Sequence, residues 1–222
     1  MTESPSRTIS IYNQVRSDIL AGRLEPDRKL RIQELAASLE VSPSVVREAL
    51  SRLSAESLVI AEPQRGFRVA PINAADVSDL TEVRIDIELQ CLRRAISRGN
   101  VDWEVAIVAA NHALSRTPHD TREVSDAWTV AHARFHAALV AACDSPWLLR
   151  IREQLFLQGE RYRLINIRMS GDDRDLRGEH SQLADAVLSR DVSLATERMT
   201  NHLRLTETLT LLSLRSEQAH VA

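Results

Sequence analysis

Apolar residues recur at helical spacing from near the start of the chain. Ile11, Val15, Ile19 and Leu20 predict a helix over residues 8–21, with Gly22 ending it. Residues 23–30, broken by Pro26, read as a loop. Leu35, Ala36 and Leu39 predict a short helix over 32–39. Glu40, Val41, Ser42 and Pro43 then read as a tight turn, because serine is a good N-cap and proline suits the first helical position. Val46, Ala49, Leu50 and Leu53 predict a third helix over 43–57. Beyond it the period becomes β-like: 58–61 and 67–70 read as short strands, and 62–66 as a turn with a basic, glycine-containing tip. Three helices and a hairpin wing within about 70 residues make a winged helix-turn-helix pattern.

Pro71, Ile72 and Asn73 read as a linker, dividing the chain into units of residues 1–72 and 73–222. The second unit is helical throughout. Its pattern predicts helices over 74–98, 101–116, 121–142, 146–169, 175–189 and 192–214, with 215–222 a frayed tail. The fold class is therefore mainly α, a winged helix-turn-helix joined to an all-α bundle of about six helices, large enough to bury its own core. Only 6 glycines and 7 prolines punctuate the 222 residues, as helices with short connections require.

Composition narrows the function classes. With 44% hydrophobic and 27% charged residues the chain matches ordinary globular proteins. No segment approaches the ~18 apolar residues of a membrane span, and the first residues lack a signal-peptide pattern. Cys91 and Cys143 are too few for a disulfide framework, so a reducing cytoplasm is the expected location and core filling their expected role. The net charge of −3 gives no global attraction to nucleic acid. Residues 1–72 sum to +1 and the remainder to −4, so any DNA contact must rest on a local basic face.

Specific runs carry a family likeness. Leu30-Arg31-Ile32-Gln33-Glu34-Leu35-Ala36, then 41–53 with its Arg47-Glu48-Ala49-Leu50 segment, then Gly66-Phe67-Arg68-Val69, resemble the GntR family of bacterial regulators. The helical remainder resembles the FadR-type ligand domain called FCD, and the likeness covers about residues 9–214. It implies a homodimeric, ligand-responsive repressor on a pseudo-palindromic operator. Many relatives carry an arginine directly after the turn serine, where this chain has Pro43, so their operator sequences do not transfer. The stretches 135–143 and 160–164 are similar to glutarate-responsive members, which implies a small carboxylate effector, such as the dicarboxylate glutarate.

In a helix-turn-helix the start of the second motif helix enters the major groove. That directs Ser42, Ser44 and Arg47 toward DNA, Arg47 to a guanine edge or a phosphate. Arg65 beside Gly66 at the hairpin tip suits the minor groove or a phosphate. The competing readings are a serine that only caps its helix and arginines on a solvated face, Arg52 being the weaker DNA candidate.

The second unit holds a histidine constellation. Trp128, His132, Phe135 and Leu139 form one stripe; His180, Leu183 and Val187 a second; Ala195, Met199, His202 and Leu209 a third. Imidazoles converging from three helices suit a borderline transition metal, whereas each alone reads as a buried, hydrogen-bonded histidine. The resemblance adds that His136, His180 and His202 match three metal-binding histidines of FCD domains, whose fourth ligand is usually aspartate. Here His132 stands in its place, which favours zinc, nickel or copper over manganese. His112, His119 and His220 fall outside the pattern.

Arg84 interrupts the apolar stripe of Leu80, Ile87 and Cys91, and a buried arginine needs an anionic partner. Glu88 one turn on could serve; the functional reading is a clamp on a ligand carboxylate, which the resemblance supports. Arg161 and Tyr162 are further effector candidates, with Arg163 beside them, though three successive helical residues are not expected to face one pocket. Three functions compete: the ligand-responsive repressor, a constitutive DNA binder with a structural metal, and a metal-dependent hydrolase. The hydrolase is disfavoured because no acid lies within one turn on the face of His132 and His136.

Overall fold

The computed structural model describes residues 7–62, 65–118, 125–170 and 174–221, with side chains described for 7–62, 65–118, 125–164 and 174–216. The chain divides into two compact units, Met1–Asn73 and Ala74–Ala222.

In the first unit, α1 (Arg7–Leu20) buries Ile11, Val15 and Ile19 against α3 (Pro43–Ala55), which answers with Val46, Ala49, Leu50 and Leu53. Between them lies α2 (Ile32–Ser38), which buries Ala36; Leu35 and Leu39 are only half-buried. The turn into α3 places Glu40 at φ 53°, a left-handed corner. Ser42 stands at the N-cap with extended backbone, but its side chain makes no cap bond. Its hydroxyl pairs instead with Ser44 at 2.9 Å, and its carbonyl accepts the Val45 and Val46 amides.

The wing differs from the simple hairpin expected. Lys29–Leu30, within the expected loop, forms β1 and pairs antiparallel with β3 (Gly66–Val69), whose other edge carries β2 (Val59–Glu62). The order is β1-β3-β2. A two-residue strand has no period to read, and Leu30, 2% exposed, is held by pairing with a residue far along the chain. Pro63 and Gln64 of the expected turn lie outside the described residues.

The second unit is formed by α4 (Ala74–Arg98), α5 (Val101–Arg116), α6 (Asp126–Val140), α7 (Pro146–Ser170), α8 (Leu176–Leu188) and α9 (Val192–Val221). Helix α4 packs on α7 and α9, α5 on α6 and α8, and α8 on α9. Leu92, Ile107, Phe135, Leu139, Leu183 and Met199 lie at the centre, each almost wholly buried. Cys91 and Cys143 are free thiols in this core. Burial and the neighbouring Cys143 push the Cys91 thiol up to about 12, which leaves it inert.

Two helix boundaries depart from expectation. Helix α6 starts after Ser125, whose hydroxyl accepts the Trp128 amide at 3.1 Å, and it gives way to a 3₁₀ turn at Ala141–Cys143. Thr121, the expected start, lies outside the described residues. Helix α9 continues to Val221 where a frayed tail was expected; no glycine or proline after Leu214 stops it.

Candidate DNA-binding surface and metal centre

On the first unit, Ser42, Ser44 and Arg47 are all exposed on α3, while the opposite face supplies the core. Burying Val46, Leu50 and Leu53 leaves positions 44, 47, 48 and 51 facing outward. Arg52 is exposed but tied to Glu48 at 2.6 Å. Arg65 is exposed at the β2–β3 connection, and Gly66 after it adopts φ 96°, a conformation that favours glycine.

The histidine stripes converge as expected. His132 and His136 from α6, His180 from α8 and His202 from α9 are all buried, and one ring nitrogen from each lies within 4.8 Å of the others. His136 Nε2 is 3.1 Å from His132 Nε2. His132 stacks on Trp128 with ring centroids 4.6 Å apart. Burial first, then the neighbouring imidazoles, hold His136 and His180 well below the usual histidine range. Burial brings His132 down to about 4 and also lowers His202. The centre therefore consists of four neutral imidazoles, the form that ligates metal.

Charged residues that sequence reasoning missed enclose it. Glu160 of α7 accepts the His132 Nδ1–H at 3.0 Å and is forked by Arg163 at 3.0 and 2.9 Å. Arg163 lies over the Trp128 ring at 4.6 Å. Glu179 of α8 accepts from His202 Nδ1 at 3.0 Å and from Arg174, which also donates to the His202 carbonyl and to Thr206. Burial alone would raise both carboxyls. Arg163 and His132 outweigh it at Glu160, and bonds from His202 and Arg174 bring Glu179 down to about 2. No acid lies within one turn on the face of His132 and His136, but Glu160 reaches His132 from another helix. It holds the ring nitrogen away from the centre and is committed to Arg163, so it is no free general base.

Arg84 is buried, and burial lowers its pKa. Its expected partner Glu88 lies at ion-pair distance, 3.7 Å, and is shared with Arg152, whose Nε donates to both carboxylate oxygens at 3.0 and 3.1 Å. Arg84 Nε has no hydrogen-bond partner. The guanidiniums of Arg84 and Arg152 lie 5.0 and 4.6 Å from the Phe156 ring centre. Arg161, Tyr162 and Arg163 are all buried but do not share one pocket, as expected of successive helical residues. Tyr162 donates to Asp76 while Arg163 turns to Glu160. Arg84 and Tyr162 line a cavity of about 20 Å³ with Gly159 and Leu203. A roomier recess, about 230 Å³, reaches His180 and Trp128 past Asn111, Thr117 and Arg174.

Only the run 159–163 hinted at this shell: a glycine and charged residues interrupt an otherwise ordinary helix. The donor set fits a divalent metal, with four neutral imidazoles and two polar atoms, His136 Nδ1 and His180 Nε2, buried without partners. No helix among the described residues is long and apolar enough to cross a membrane.

Comparison with known proteins agrees with this architecture. Residues 8–69 match the model of bacterial regulatory proteins of the gntR family, and residues 79–205 match the FCD domain, a domain that often binds metal. The chain is 38% identical over 196 residues to the transcriptional regulator BphR of Paraburkholderia xenovorans, covering 86% of this chain and 80% of BphR. It is 36% identical over 201 residues to the transcriptional repressor GlaR of Escherichia coli, covering 86% and 90%. A GntR-family regulator from Pseudomonas syringae superposes with a TM-score of 0.59 at 28% identity, covering 97% of this chain and 89% of that one. These relatives are transcription regulators and not enzymes, which sets the hydrolase reading aside. The chain belongs to the GntR family of DNA-binding transcription regulators, in the branch that carries an FCD domain.

Proposed function

We propose that the chain is a cytoplasmic repressor that binds a pseudo-palindromic operator in double-stranded DNA as a homodimer, with an affinity altered by a small carboxylate. The unit of residues 1–72 reads DNA through Ser42, Ser44 and Arg47, with Arg65 and Gly66 of the wing against the backbone or minor groove. The unit of residues 73–222 binds effector and supports dimerisation. His132, His136, His180 and His202 would hold a divalent metal, zinc or nickel, which would supply a Lewis acid for the effector's carboxylate. Arg84, with Arg161 and Tyr162 nearby, binds the effector's acidic end.

One observation carries this reading. Arg84 Nε, Arg152 Nη2, Arg163 Nη1, His136 Nδ1 and His180 Nε2 are all buried without a hydrogen-bond partner. Buried polar atoms are ordinarily satisfied, and a cluster of cationic donors beside imidazoles calls for an anion. Arg84, Arg152 and Arg163 outnumber Glu88 and Glu160, so the interior is net positive before any metal adds charge. The likeness of 135–143 and 160–164 to glutarate-responsive members favours a dicarboxylate such as glutarate.

The test is thermal unfolding, as prepared and after chelation, against short mono- and dicarboxylates including glutarate. An acid at 100 times its Kd stabilises the folded state by about 2.7 kcal/mol. A rise that vanishes on chelation supports the reading; a rise indifferent to chelation removes the metal from it. A second reading, a constitutive binder with a structural metal, draws support from the Arg84 cavity, whose volume of about 20 Å³ suits a single water. No response to any acid would favour it.

A further inference from the structure

The histidine centre is enclosed by two arms of the same construction. In one, Arg163 forks Glu160, and Glu160 accepts the Nδ1–H of His132 at 3.0 Å. In the other, Arg174 forks Glu179, and Glu179 accepts from His202 Nδ1 at 3.0 Å. The arms come from different elements: α7 onto α6, and the start of α8 onto α9. Arg174 Nη2 also lies 3.1 Å from His202 Nδ1, but its two hydrogens go to Glu179 and the His202 carbonyl, and the carboxylate of Glu179 only accepts, so the hydrogen at His202 Nδ1 points to Glu179.

We propose that Glu160 and Glu179 are positioning residues for the metal: each carboxylate takes the Nδ1–H of its imidazole and aims the Nε2 lone pair at the shared centre. The inference rests on the four-histidine metal reading above. A carboxylate behind a ligating histidine fixes its tautomer, locks the ring and raises its basicity. The geometry matches that role. His132 Nε2 faces His136 Nε2 at 3.1 Å, inside the cluster. Its ring is clamped from the side by Trp128, which Arg163 covers in turn, so one arginine steadies both the carboxylate and the stacking partner. His136 lacks such support, since its Nδ1 has no partner while its Nε2 faces His132.

The experiment measures cobalt(II) binding by the full chain, by competition with a chromophoric chelator and by the d–d absorption of the bound ion. Glu160→Gln, Glu179→Gln and the double variant are compared with wild type and with Glu104→Gln, whose carboxylate pairs with Arg190 on the surface. Each single variant should bind cobalt 10- to 100-fold more weakly with altered d–d bands; the double variant should lose it on dialysis, and Glu104→Gln should match wild type. Glu179 retains 26% side-chain exposure and glutamine keeps an acceptor for Arg174, so Glu179→Gln should fold, with the midpoint of the chelated protein lowered by the lost charge, and decides the matter if Glu160→Gln fails to fold. Wild-type binding with unweakened Gln variants overturns this proposal alone. Failure of wild type to hold cobalt overturns it together with the metal reading.

Discussion

Gly159 sits inside α7, where glycine costs a helix about 1 kcal/mol relative to alanine. Replacing it with alanine would be stabilising if the space beside it were free. A Cβ built there lies 2.1 Å from Arg84 Nη1 and 3.1 Å from Arg84 Cζ. Ordinary contact begins at 3.4 Å, so the guanidinium must retreat by roughly 1.3 Å in a buried site. Overpacking of this kind costs about 1–3 kcal/mol, which cancels or exceeds the helical gain. Gly159→Ala should therefore leave stability unchanged or lower it by up to about 2 kcal/mol. At about 2–4 °C per kcal/mol for a unit of this size, the midpoint falls by 0 to about 8 °C. The displaced Arg84 should also abolish the response to any acid that stabilises wild type. Differential scanning calorimetry with and without the acid panel reads both effects. A variant about 2–4 °C more stable than wild type, with its acid response intact, would refute the packing of Arg84 on Gly159 and its role as the clamp.

Three further perturbations probe separate parts of the molecule. Arg47→Ala truncates an exposed side chain, so the fold should hold within about 0.5 kcal/mol while operator affinity falls about 5- to 150-fold; equal affinity in an anisotropy titration would remove α3 from the groove. Glu88→Gln leaves Arg152 and Arg84 buried beside a neutral amide, and chemical denaturation should register a loss of about 3–5 kcal/mol; a loss below about 1 kcal/mol would mean the pair is dispensable. In metal-free protein the four histidines have folded pKa values below the ordinary 6.5, His132 at about 4, so the unfolded chain takes up protons that the folded chain refuses. Stability is then fully present above pH 6.5 and declines as pH falls, by about 1.4 kcal/mol per pH unit for each such imidazole. Stability that holds level or rises between pH 7 and pH 5 would contradict their neutral burial.

Much of this molecule is local physics. Ile11, Val15 and Ile19 mark the inner face of α1, and Val46, Leu50 and Leu53 that of α3, because a helical repeat reports which side is buried wherever the helix docks. For the same reason the stripes through His132, His180 and His202 read as inward-facing from the sequence, with His136 one turn from His132. Helix α9 runs past Leu214 where a frayed tail is expected from position in the chain, because nothing in its residues ends a helix. What periodicity cannot carry is the identity of the partner across the interface. The β1 pairing of Leu30 with Phe67, the Glu160–His132 bond across 28 residues and the Arg152–Glu88 pair across 64 depend on how helices and strands meet. Arg84 illustrates the division. Its place on an apolar stripe announces a buried cation needing an anion, and the acid one helical turn on is Glu88. Tertiary packing shares Glu88 between two arginines: Arg152 Nε hydrogen-bonds both its oxygens, while Arg84 stays at ion-pair distance with its Nε unsatisfied, and the geometry that decides this belongs to the assembled bundle rather than to either helix.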